Sequence, residues 1–444
     1  MADQDQKTED FRVILVGGGP VALTAAHALS KAGIDYVILE RRDQLDVDSG
    51  ASVAVWPHNV RLLDQLGMLE EADRTYMPVL YKRNLRKDGS QISKSNMFEA
   101  MQINHGHPWM CFHRAKLMNM LNSNLPDPSK ILLNKEVVSI ETTPTGVTVS
   151  CADKSTYTAS MVIGADGVRS TIRRMMNEEA AQQPDEPFVS TYKGLYGYAT
   201  RSPELDAATC YETHSGRMTI QLIVAEQQQH FLVYERLDKP TPDRGPRFSD
   251  EDKDALAAKY ADVKFPGREP GQWVTFADVW ANRQWSMLSN IEEGVVKQWH
   301  QGRCVLVGDA AHKMTPNTGF GMNSGLQGVA HLVNRLHTLL QTNPSPDGPA
   351  LTKCFTEYQD ALEKNSKTTV DMAGLYTRLV AWDNPVWKFL DQYFLPYVNG
   401  DVTSLNLLMS PIVQKGVPLN FLNENAFKTG KYSYHTGQAT VKVA

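Results

Sequence analysis

The sequence predicts an α/β fold, in which a parallel sheet covered by helices is interleaved with an antiparallel sheet and followed by a C-terminal helical segment. The parallel sheet is predicted by Arg12–Val16, a run of branched apolar residues that leads into a glycine-rich turn and a helical pattern. The antiparallel sheet is predicted by strands rich in aromatic and branched residues at Tyr192–Ala199, Met218–Ala225 and Phe231–Arg236. From Leu351 onward the pattern is helical.

Size and composition exclude several kinds of protein. A chain of 444 residues is too long for one small core and predicts two or three packed units. The formal net charge is -5 and no long run of lysine or arginine is present, so we expect no nucleic-acid partner. The 5 cysteines are scattered and form no Cys-x-x-Cys pair, which indicates free thiols in a reducing compartment.

The distribution of apolar residues indicates no membrane insertion. The polar, acidic N-terminus lacks the basic start and apolar run of a signal peptide. No stretch reaches the roughly 18–20 apolar residues that span a bilayer. We therefore expect a cytoplasmic protein without a transmembrane segment.

The glycine-rich turn has the features of a dinucleotide-binding loop. Gly17, Gly19 and Ala22 match G-x-G-x-x-A: the first permits a tight turn, the second lets the backbone approach a pyrophosphate, and the alanine keeps helix and strand close. The helix that follows offers free N–H groups and a partial positive charge to phosphates. Glu40 ends a second strand about 20 residues beyond the glycines, where a carboxylate accepts hydrogen bonds from a ribose. The pattern does not separate FAD from NAD.

Two later motifs follow predicted buried strands. The first is G-A-D-G-V-R-S at 164–170, and the second is G-D-A-A-H-K-M-T-P-N at 308–317. G-F-G-M-N at 319–323 then opens a helix that is predicted to run to about residue 340.

In this order, the three motifs resemble those of the group A FAD-dependent monooxygenases, the para-hydroxybenzoate hydroxylase-like family. H-K-M-T-P-N at 312–317 and D-V-W at 278–280 are similar to the fungal enzymes of indole-diterpene, prenylated indole alkaloid and meroterpenoid pathways. The resemblance covers roughly residues 11–340, and it implies FAD as the cofactor.

The resemblance also implies which residues contact FAD. It places Asp309 on the ribityl chain, Arg114 against the FAD, and the helix that begins near Gly319 against the pyrimidine edge of the ring. A positive helix end at that edge stabilises the anionic reduced flavin. The full set of residues that the resemblance adds to the first loop is Ala54, Arg114, Asp166, Asp309, Gly319, Gly321 and Met322.

Two residues are candidates for contact with the substrate. Lys193 matches a position where relatives carry a basic residue facing the substrate, and its ammonium could donate a proton to an oxyanion. The alternative is a surface lysine on a strand. Asp48 could accept a hydrogen bond from a substrate N–H, and the alternative is a solvated loop acid.

The expected domain organisation follows from these motifs. Residues 1–184 and 296–350 are the two parts of a Rossmann-like FAD-binding domain. Residues 185–295 form a substrate domain with an antiparallel sheet, and residues 351–444 form the C-terminal helical segment. The aromatic residues between Val370 and Tyr397 are expected to pack against the FAD-binding domain, and membrane contact is the less favoured alternative.

The implied function is that of a monooxygenase that uses NADPH or NADH and O2 through a flavin C4a-hydroperoxide. The reductant is expected to dock transiently, because no second G-x-G-x-x-G is present. The expected substrate is a small hydrophobic compound, either an isoprenoid alkene or a prenylated indole alkaloid, that is epoxidised or hydroxylated. The alternatives are a flavin-dependent dehydrogenase or oxidase, or an alkene reductase on the same fold, which do not transfer oxygen.

Overall fold

The computed structural model describes residues 11–45, 50, 52–179, 187–242, 245–424 and 428–434. Its α-helices are α1 (Pro20–Lys31), α2 (Pro57–Gln65), α3 (Leu69–Thr75), α4 (Met97–His105), α5 (Arg114–Ser123), α6 (Thr171–Glu179), α7 (Asp250–Lys259), α8 (Phe276–Ala281), α9 (Phe320–Thr342), α10 (Gly348–Val380), α11 (Pro385–Phe389), α12 (Gly400–Ser404) and α13 (Ser410–Gln414).

The strands as far as the antiparallel sheet are β1 (Arg12–Val16), β2 (Asp35–Leu39), β3 (Ser52–Val55), β4 (Tyr81–Arg86), β5 (Gln91–Ser95), β6 (Met110–His113), β7 (Ile131–Leu132), β8 (Val137–Thr142), β9 (Val147–Cys151), β10 (Thr156–Ala159) and β11 (Met161–Gly164). The later strands are β12 (Val189–Thr200), β13 (Thr209–Ser215), β14 (Met218–Val224), β15 (Gln228–Pro242), β16 (Lys264–Pro266), β17 (Trp273–Thr275), β18 (Arg283–Val295), β19 (His300–Gln301), β20 (Cys304–Leu306) and β21 (His312–Lys313).

The first sheet brings the three sequence motifs to one edge. Its strand order is β19-β20-β11-β1-β2-β7, and all neighbours except β19 and β20 are parallel. Carboxyl ends of parallel strands lie at the same edge, so Gly17 after β1, Ala165 after β11 and Val307 after β20 are neighbours. Backbone hydrogen bonds join the three: the Ala165 N–H donates to Val16 at 2.9 Å, and the Val307 N–H donates to Gly164 at 3.0 Å.

The second sheet has eight strands in the order β21-β18-β12-β15-β14-β13-β4-β5. Its neighbours are antiparallel except β13 and β4. Two of its strands, β4 and β5, precede residue 185, so the sheet extends beyond the segment that the sequence assigned to it. One face of the sheet packs on α7 and α8 around Phe231, whose ring is fully buried against Phe276 and Trp280.

Several local elements have bounds that follow from neighbouring residues. The run that leads into the second motif, residues 157–163, belongs to two strands, β10 and β11, with Ser160 between them. The charged, proline-rich stretch that begins at Asp238 continues β15 as far as Pro242, which pairs with Val189 of β12. Ser249 and Asp252 form a reciprocal capping box at the start of α7.

The C-terminal helices cover the opening between the two sheets. Tyr358 on α10 is fully buried, and its hydroxyl donates to the Leu306 carbonyl of β20 at 3.1 Å. The aromatic residues of this segment divide between two environments: Tyr376 lies inside, whereas Phe389 and Tyr397 are 61% and 90% exposed. The expected packing of the whole aromatic stretch against the FAD-binding domain is therefore only partly correct.

The cysteines agree with the expectation of free thiols. All five cysteines are buried free thiols. In the part of the chain that the structure describes, no helix combines the length and the apolar character needed to cross a membrane.

We expect Phe231→Ala to lower the free energy of unfolding by about 3–5 kcal/mol, because it removes a buried aromatic ring from the core beneath the antiparallel sheet. Urea unfolding followed by circular dichroism measures this. Phe389→Ala is the matched control; Phe389 is largely exposed, so the change should stay within about 0.5 kcal/mol. Equal effects of the two substitutions would contradict the placement of α7 and α8.

Candidate active site

The first glycine loop opens onto a large cavity between the two sheets. Gly17 has a φ of +106°, and a Cβ there would lie 2.6 Å from the Ala165 carbonyl oxygen, so only glycine lets the two loops touch. Gly19 is the N-cap of α1, has open space where a Cβ would be, and lines the cavity. Ala22 is fully buried in α1 and does not line the cavity, which agrees with a packing role.

The acid at the end of β2 lies beside this loop. One carboxylate oxygen of Glu40 accepts hydrogen bonds from the Gly18 N–H at 2.5 Å, and the other accepts from the Arg42 N–H at 2.9 Å. Glu40 is 8% exposed and lines the cavity. Each oxygen has a second lone pair, so the side chain is held by the loop and can still accept from a ribose hydroxyl.

A second helix begins at the same cavity. Gly319 is the N-cap of α9 with a φ of +66°, and Gly319, Gly321 and Met322 line the cavity. A Cβ on Gly319 would lie 3.5 Å from the Ala54 side chain. Asn323 joins the two segments, because its amide nitrogen donates to the Ala54 carbonyl and to the Gly319 carbonyl, both at 2.7 Å.

Both of these helices begin without a side-chain cap. The starts of α1 and α9 have no side-chain hydrogen bond to their first N–H groups. The other helices are of both kinds: α7, α8 and α10 are capped by Ser249, Thr275 and Asp347, whereas α2, α3, α4 and α5 also begin without a side-chain cap. At α1 and α9 the N-cap is a glycine that lines the cavity. Uncapped N–H groups at the positive end of a helix dipole favour an anion, so the cavity presents two anion-binding ends.

Basic side chains surround the end of the cavity near β1 and β2. Arg114, at the first position of α5, lines the cavity and is half-buried. Burial lowers the pKa of Arg114, and the neighbouring Arg42 lowers it further. The other basic residues lining this end are Arg41, Arg42, Lys135 and Arg169. A guanidinium that is partly desolvated in such a cluster binds phosphate strongly.

The two acids of the later motifs, Asp166 and Asp309, have different surroundings. The carboxylate of Asp166 accepts hydrogen bonds from the Ser170 hydroxyl at 2.6 Å and the Thr171 N–H at 2.7 Å, so it caps the start of α6. Burial raises the pKa of Asp166, although these hydrogen bonds oppose the shift. Asp309 lines the cavity, and the ammonium of Lys313 donates to its carboxylate at 2.5 Å.

The structure does not bring Lys193 to the cavity. Its ammonium pairs with Glu235 at 3.0 Å, and Glu235 also binds Lys259 and Tyr260 of the α7 region on the other face of the sheet. Tyr192, the preceding residue, lies on the opposite face. The expected contact between Lys193 and the substrate is therefore wrong, and the alternative of an ion-paired strand lysine is favoured. Asp48 lies outside the described residues.

A buried polar network lines the cavity on the sheet side, and the sequence did not predict it. The ammonium of Lys82 donates to Glu212 at 2.8 Å, to Asp401 at 2.9 Å and to the Tyr376 hydroxyl at 2.7 Å, which uses its three N–H groups. The Gln221 amide nitrogen donates to the other oxygen of Glu212 at 2.7 Å. Cross-strand pairing explains the arrangement, because Glu212 lies opposite Gln221 on β14.

The C-terminal segment supplies the other half of this network. The Tyr376 hydroxyl of α10 donates to Glu212, and Asp401 of α12 also accepts from the Asn84 amide at 2.9 Å. The imidazole of His214 links two acids: its Nδ1 lies 2.8 Å from the carboxylate of Asp391, and its Nε2 lies 3.4 Å from the carboxylate of Glu212. The network therefore fixes the C-terminal helices onto the antiparallel sheet and closes one side of the cavity.

Opposite charges decide the protonation of this network. Burial lowers the pKa of Lys82, but Asp401, Glu212 and Tyr376 outweigh burial and raise it well above its usual value. Burial raises the pKa of Glu212, but Lys82 and His214 outweigh it and hold the pKa low. For His214, burial lowers the pKa, whereas Asp391 and Glu212 raise it to about 9. Lysine and histidine are thus cationic, and the glutamate is anionic, at neutral pH.

The remaining walls are apolar. The cavity has a volume of about 840 Å³ and continues from the glycine loops to the antiparallel sheet and the C-terminal helices. Its apolar lining in that direction is Met97, Phe98, Met101, Trp109, Ile223, Leu232, Leu379, Val380, Leu395 and Met409. Methionine side chains adapt their shape to irregular ligands, which suits a hydrocarbon surface.

The residues present fit FAD. The end at Gly19, Glu40 and Arg114 combines an uncapped helix start, a diol acceptor and a half-buried guanidinium, which suit a pyrophosphate and a ribose. The end at Gly319 combines a second uncapped helix with open backbone, which suits an anionic ring edge. One cavity holds both ends, as a dinucleotide requires.

Comparison with known proteins agrees with this geometry. The FAD binding domain family matches residues 10–348. The FAD-dependent monooxygenase srdH of Neurospora crassa is 36% identical over 435 residues, which are 93% of this chain and 96% of the relative. The FAD-dependent monooxygenase ausM of Penicillium brasilianum is 31% identical over 404 residues, 88% of this chain and 84% of the relative.

A solved structure shares the fold at low identity. Klebsiella pneumoniae HpxO complexed with FAD and uric acid superposes with a TM-score of 0.71 at 20% identity, covering 89% of this chain and 97% of that chain. At this identity the likeness establishes the fold alone.

We expect Arg114→Met to weaken FAD binding about 10- to 100-fold, because a charge-assisted hydrogen bond to phosphate is worth roughly 1.5–3 kcal/mol. Quenching of flavin fluorescence on titration into the apoprotein measures the dissociation constant. Arg174→Met is the matched control, since Arg174 is exposed on α6 and pairs with Glu178. An unchanged FAD affinity in Arg114→Met would contradict the assignment of the phosphate end.

We expect the stabilising contribution of His214 to depend on pH. Because the folded pKa is raised to about 9 from 6.5, the contribution is full below pH 6.5 and is lost as the pH rises through about 9. The difference in thermal midpoint between the wild type and His214→Gln should shrink over this range. His331→Gln is the control: burial lowers the pKa of His331 to about 4, so its effect should not vary there. A constant difference for His214→Gln would contradict the ion-paired network.

Proposed function

We propose a substrate class for this protein. The chain belongs to the FAD binding domain family and is an FAD-dependent monooxygenase. Its proposed reaction is the epoxidation or hydroxylation of a neutral, mainly hydrocarbon substrate. The substrate is an isoprenoid alkene or a prenylated indole, and epoxidation of the indole 2,3-bond leading to a spiro-oxindole is one form of the reaction. We place this step in the secondary metabolism of a fungus, the source of the two monooxygenase relatives described above.

The atoms and electrons of the proposed reaction balance as follows. NADPH or NADH with one proton supplies two electrons and two hydrogens, one oxygen atom of O2 enters the substrate, and the other leaves as water. When bound, FAD supplies the two-electron chemistry that activates O2. The residues that would hold it are Gly17, Gly19, Glu40, Ala54, Arg114, Asp309, Gly319, Gly321 and Met322.

The observation that carries the proposal is the apolar wall beyond the flavin end of the cavity. Ile223 and Leu232 of the antiparallel sheet, with Leu379 and Leu395 of the C-terminal segment, line the same cavity as Gly319. An alkene bound between these side chains is held close to the ring edge, and the apolar surface excludes water from the reacting atoms.

The polar network favours a neutral substrate. All three N–H groups of Lys82 are used within the network, and both oxygens of Glu212 accept hydrogen bonds. A substrate carboxylate that approached this network would have to displace one of its contacts and leave a buried charge without its partner, which costs several kcal/mol. A hydrocarbon with hydroxyl or carbonyl groups does not meet this barrier.

Transient docking of the reductant is also proposed. The sequence contains no second G-x-G-x-x-G that would hold a resident nicotinamide. Gly167, in the loop after β11, has a φ of +82°, lines the cavity and has open space at its Cβ position. This loop offers backbone to a visiting nicotinamide beside the FAD site.

We expect the holoenzyme to incorporate one atom of 18O from 18O2 into a prenylated indole or a farnesylated phenol, with NADPH or NADH as the reductant. Mass spectrometry measures the label, and stopped-flow spectroscopy measures anaerobic flavin reduction with each compound. An accepted substrate should accelerate reduction at least about tenfold relative to none, as substrate-gated positioning predicts. Salicylate, a small charged phenol, is the control and should accelerate reduction little.

Three outcomes would contradict the proposal. A saturated product without label indicates an alkene reductase, and consumption of reductant with hydrogen peroxide as the only oxygen product for every compound indicates an oxidase. Equal or better response to salicylate would contradict the neutral hydrocarbon class while leaving the monooxygenase activity in place.

A further inference from the structure

The basic side chains lining the cavity differ in where they lie and in how many of their N–H groups already have a partner. Arg41, Arg42, Arg114, Lys135 and Arg169 belong to the phosphate end, and Lys82 and His214 are engaged within the polar network. Lys94 lies 5.4 Å from the centre of the Tyr81 ring on the outer strands β4 and β5. In the described part of the cavity lining, this leaves Lys313 as the cation between the phosphate end and the network.

Lys313 lies between the two turns of the third motif. Its backbone pairs with Gly294 on the edge of the antiparallel sheet, which places it between the 308–310 turn and the 316–318 turn. Its ammonium donates to Asp309 at 2.5 Å, and its side chain is 27% exposed. A lysine ammonium has three N–H groups, so this contact leaves two for other acceptors.

The surroundings keep Lys313 charged. Burial lowers its pKa, but the charge and the hydrogen bond of Asp309, with Glu292 and Tyr196 nearby, outweigh burial and raise it. The ammonium therefore neutralises the carboxylate of Asp309 inside the cavity, at the level of the turns that precede α9.

We propose that Lys313 is the cationic positioning residue of the flavin site: it holds Asp309 for the ribityl chain and offsets the carboxylate charge that the reduced ring would otherwise face. The inference rests on the proposed function, because it requires FAD to lie with its ring at the start of α9. Lys313, and not Lys193, is then the lysine that acts at the flavin site.

The physical consequence concerns the balance between oxidised and reduced flavin. Reduction adds negative charge to the ring, so an unneutralised carboxylate nearby disfavours the reduced form in a medium of low dielectric constant. Removing the ammonium of Lys313 exposes the ring to the charge of Asp309. Removing both charges restores a neutral pair, so the double variant should return towards the wild type.

The test is the midpoint potential of the holoenzyme, measured by spectroelectrochemistry for Lys313→Met, Lys313→Arg and the double variant Asp309→Asn/Lys313→Met. We expect Lys313→Met to weaken binding of reduced relative to oxidised FAD at least tenfold, a shift of about 30 mV to more negative potential. Lys313→Arg should stay near the wild type, and the double variant should recover most of the shift. Lys193→Met is the matched control, with an unchanged potential.

Two results would overturn the inference. One is a potential of Lys313→Met within error of the wild type while FAD remains bound in a 1:1 ratio. The other is a potential of the double variant Asp309→Asn/Lys313→Met that stays as negative as that of Lys313→Met, which would show that the shift does not come from the charge of Asp309. Neither result alters whether the wild type incorporates 18O, so failure of the proposed function is separately visible.

Discussion

The structure depends on two helix starts whose first backbone N–H groups have no side-chain cap and can therefore bind a ligand. The first turns of α1 and α9 have no side-chain cap, and both open onto one cavity. A buried helix start without partners is unfavourable, so the fold is completed by an anionic group at each end. FAD carries two such groups, a pyrophosphate and a ring that becomes anionic on reduction.

The two sheets bring these helix starts together for different reasons. The parallel sheet aligns the loops after β1, β11 and β20, because carboxyl ends of parallel strands share one edge. The antiparallel sheet provides the opposite wall, and the network of Lys82 and Glu212 with Tyr376, Asp391 and Asp401 holds the C-terminal helices against it. Cofactor binding is thus built from backbone and charge, whereas the substrate wall is built from apolar side chains around a satisfied polar network.

Local patterns predicted the cofactor half of the molecule well. The strand Arg12–Val16 and the acid Glu40 lie where the pattern placed them, because a buried strand, a glycine turn and a helix are each specified by neighbouring residues. Asn323, which joins β3 to α9, was not identified, since its partner Ala54 is 269 residues away.

The substrate-binding half of the molecule could not be predicted from local sequence patterns. Lys193 was assigned to the correct strand but to the wrong face, because the assignment came from a resemblance to relatives and not from contacts. Lys193 lies directly opposite Glu235 on β15, and the two side chains pair on the face that packs on α7. Glu212 and His214 give β13 a polar sequence, and their burial is explained only by partners on distant helices. The face of a strand and the partners of a buried charge are tertiary properties, which alternation along the sequence does not encode.

The most direct test of the account compares FAD with FMN, which lacks the adenylate half, by calorimetric titration of the apoprotein. If both helix starts bind one dinucleotide, FAD binds in a 1:1 ratio and FMN binds at least about 100-fold more weakly, since it brings one phosphate instead of two to Gly19 and Arg114 and no ribose to Glu40. Equal affinities for FAD and FMN, or no binding of FAD by folded protein, would contradict the account.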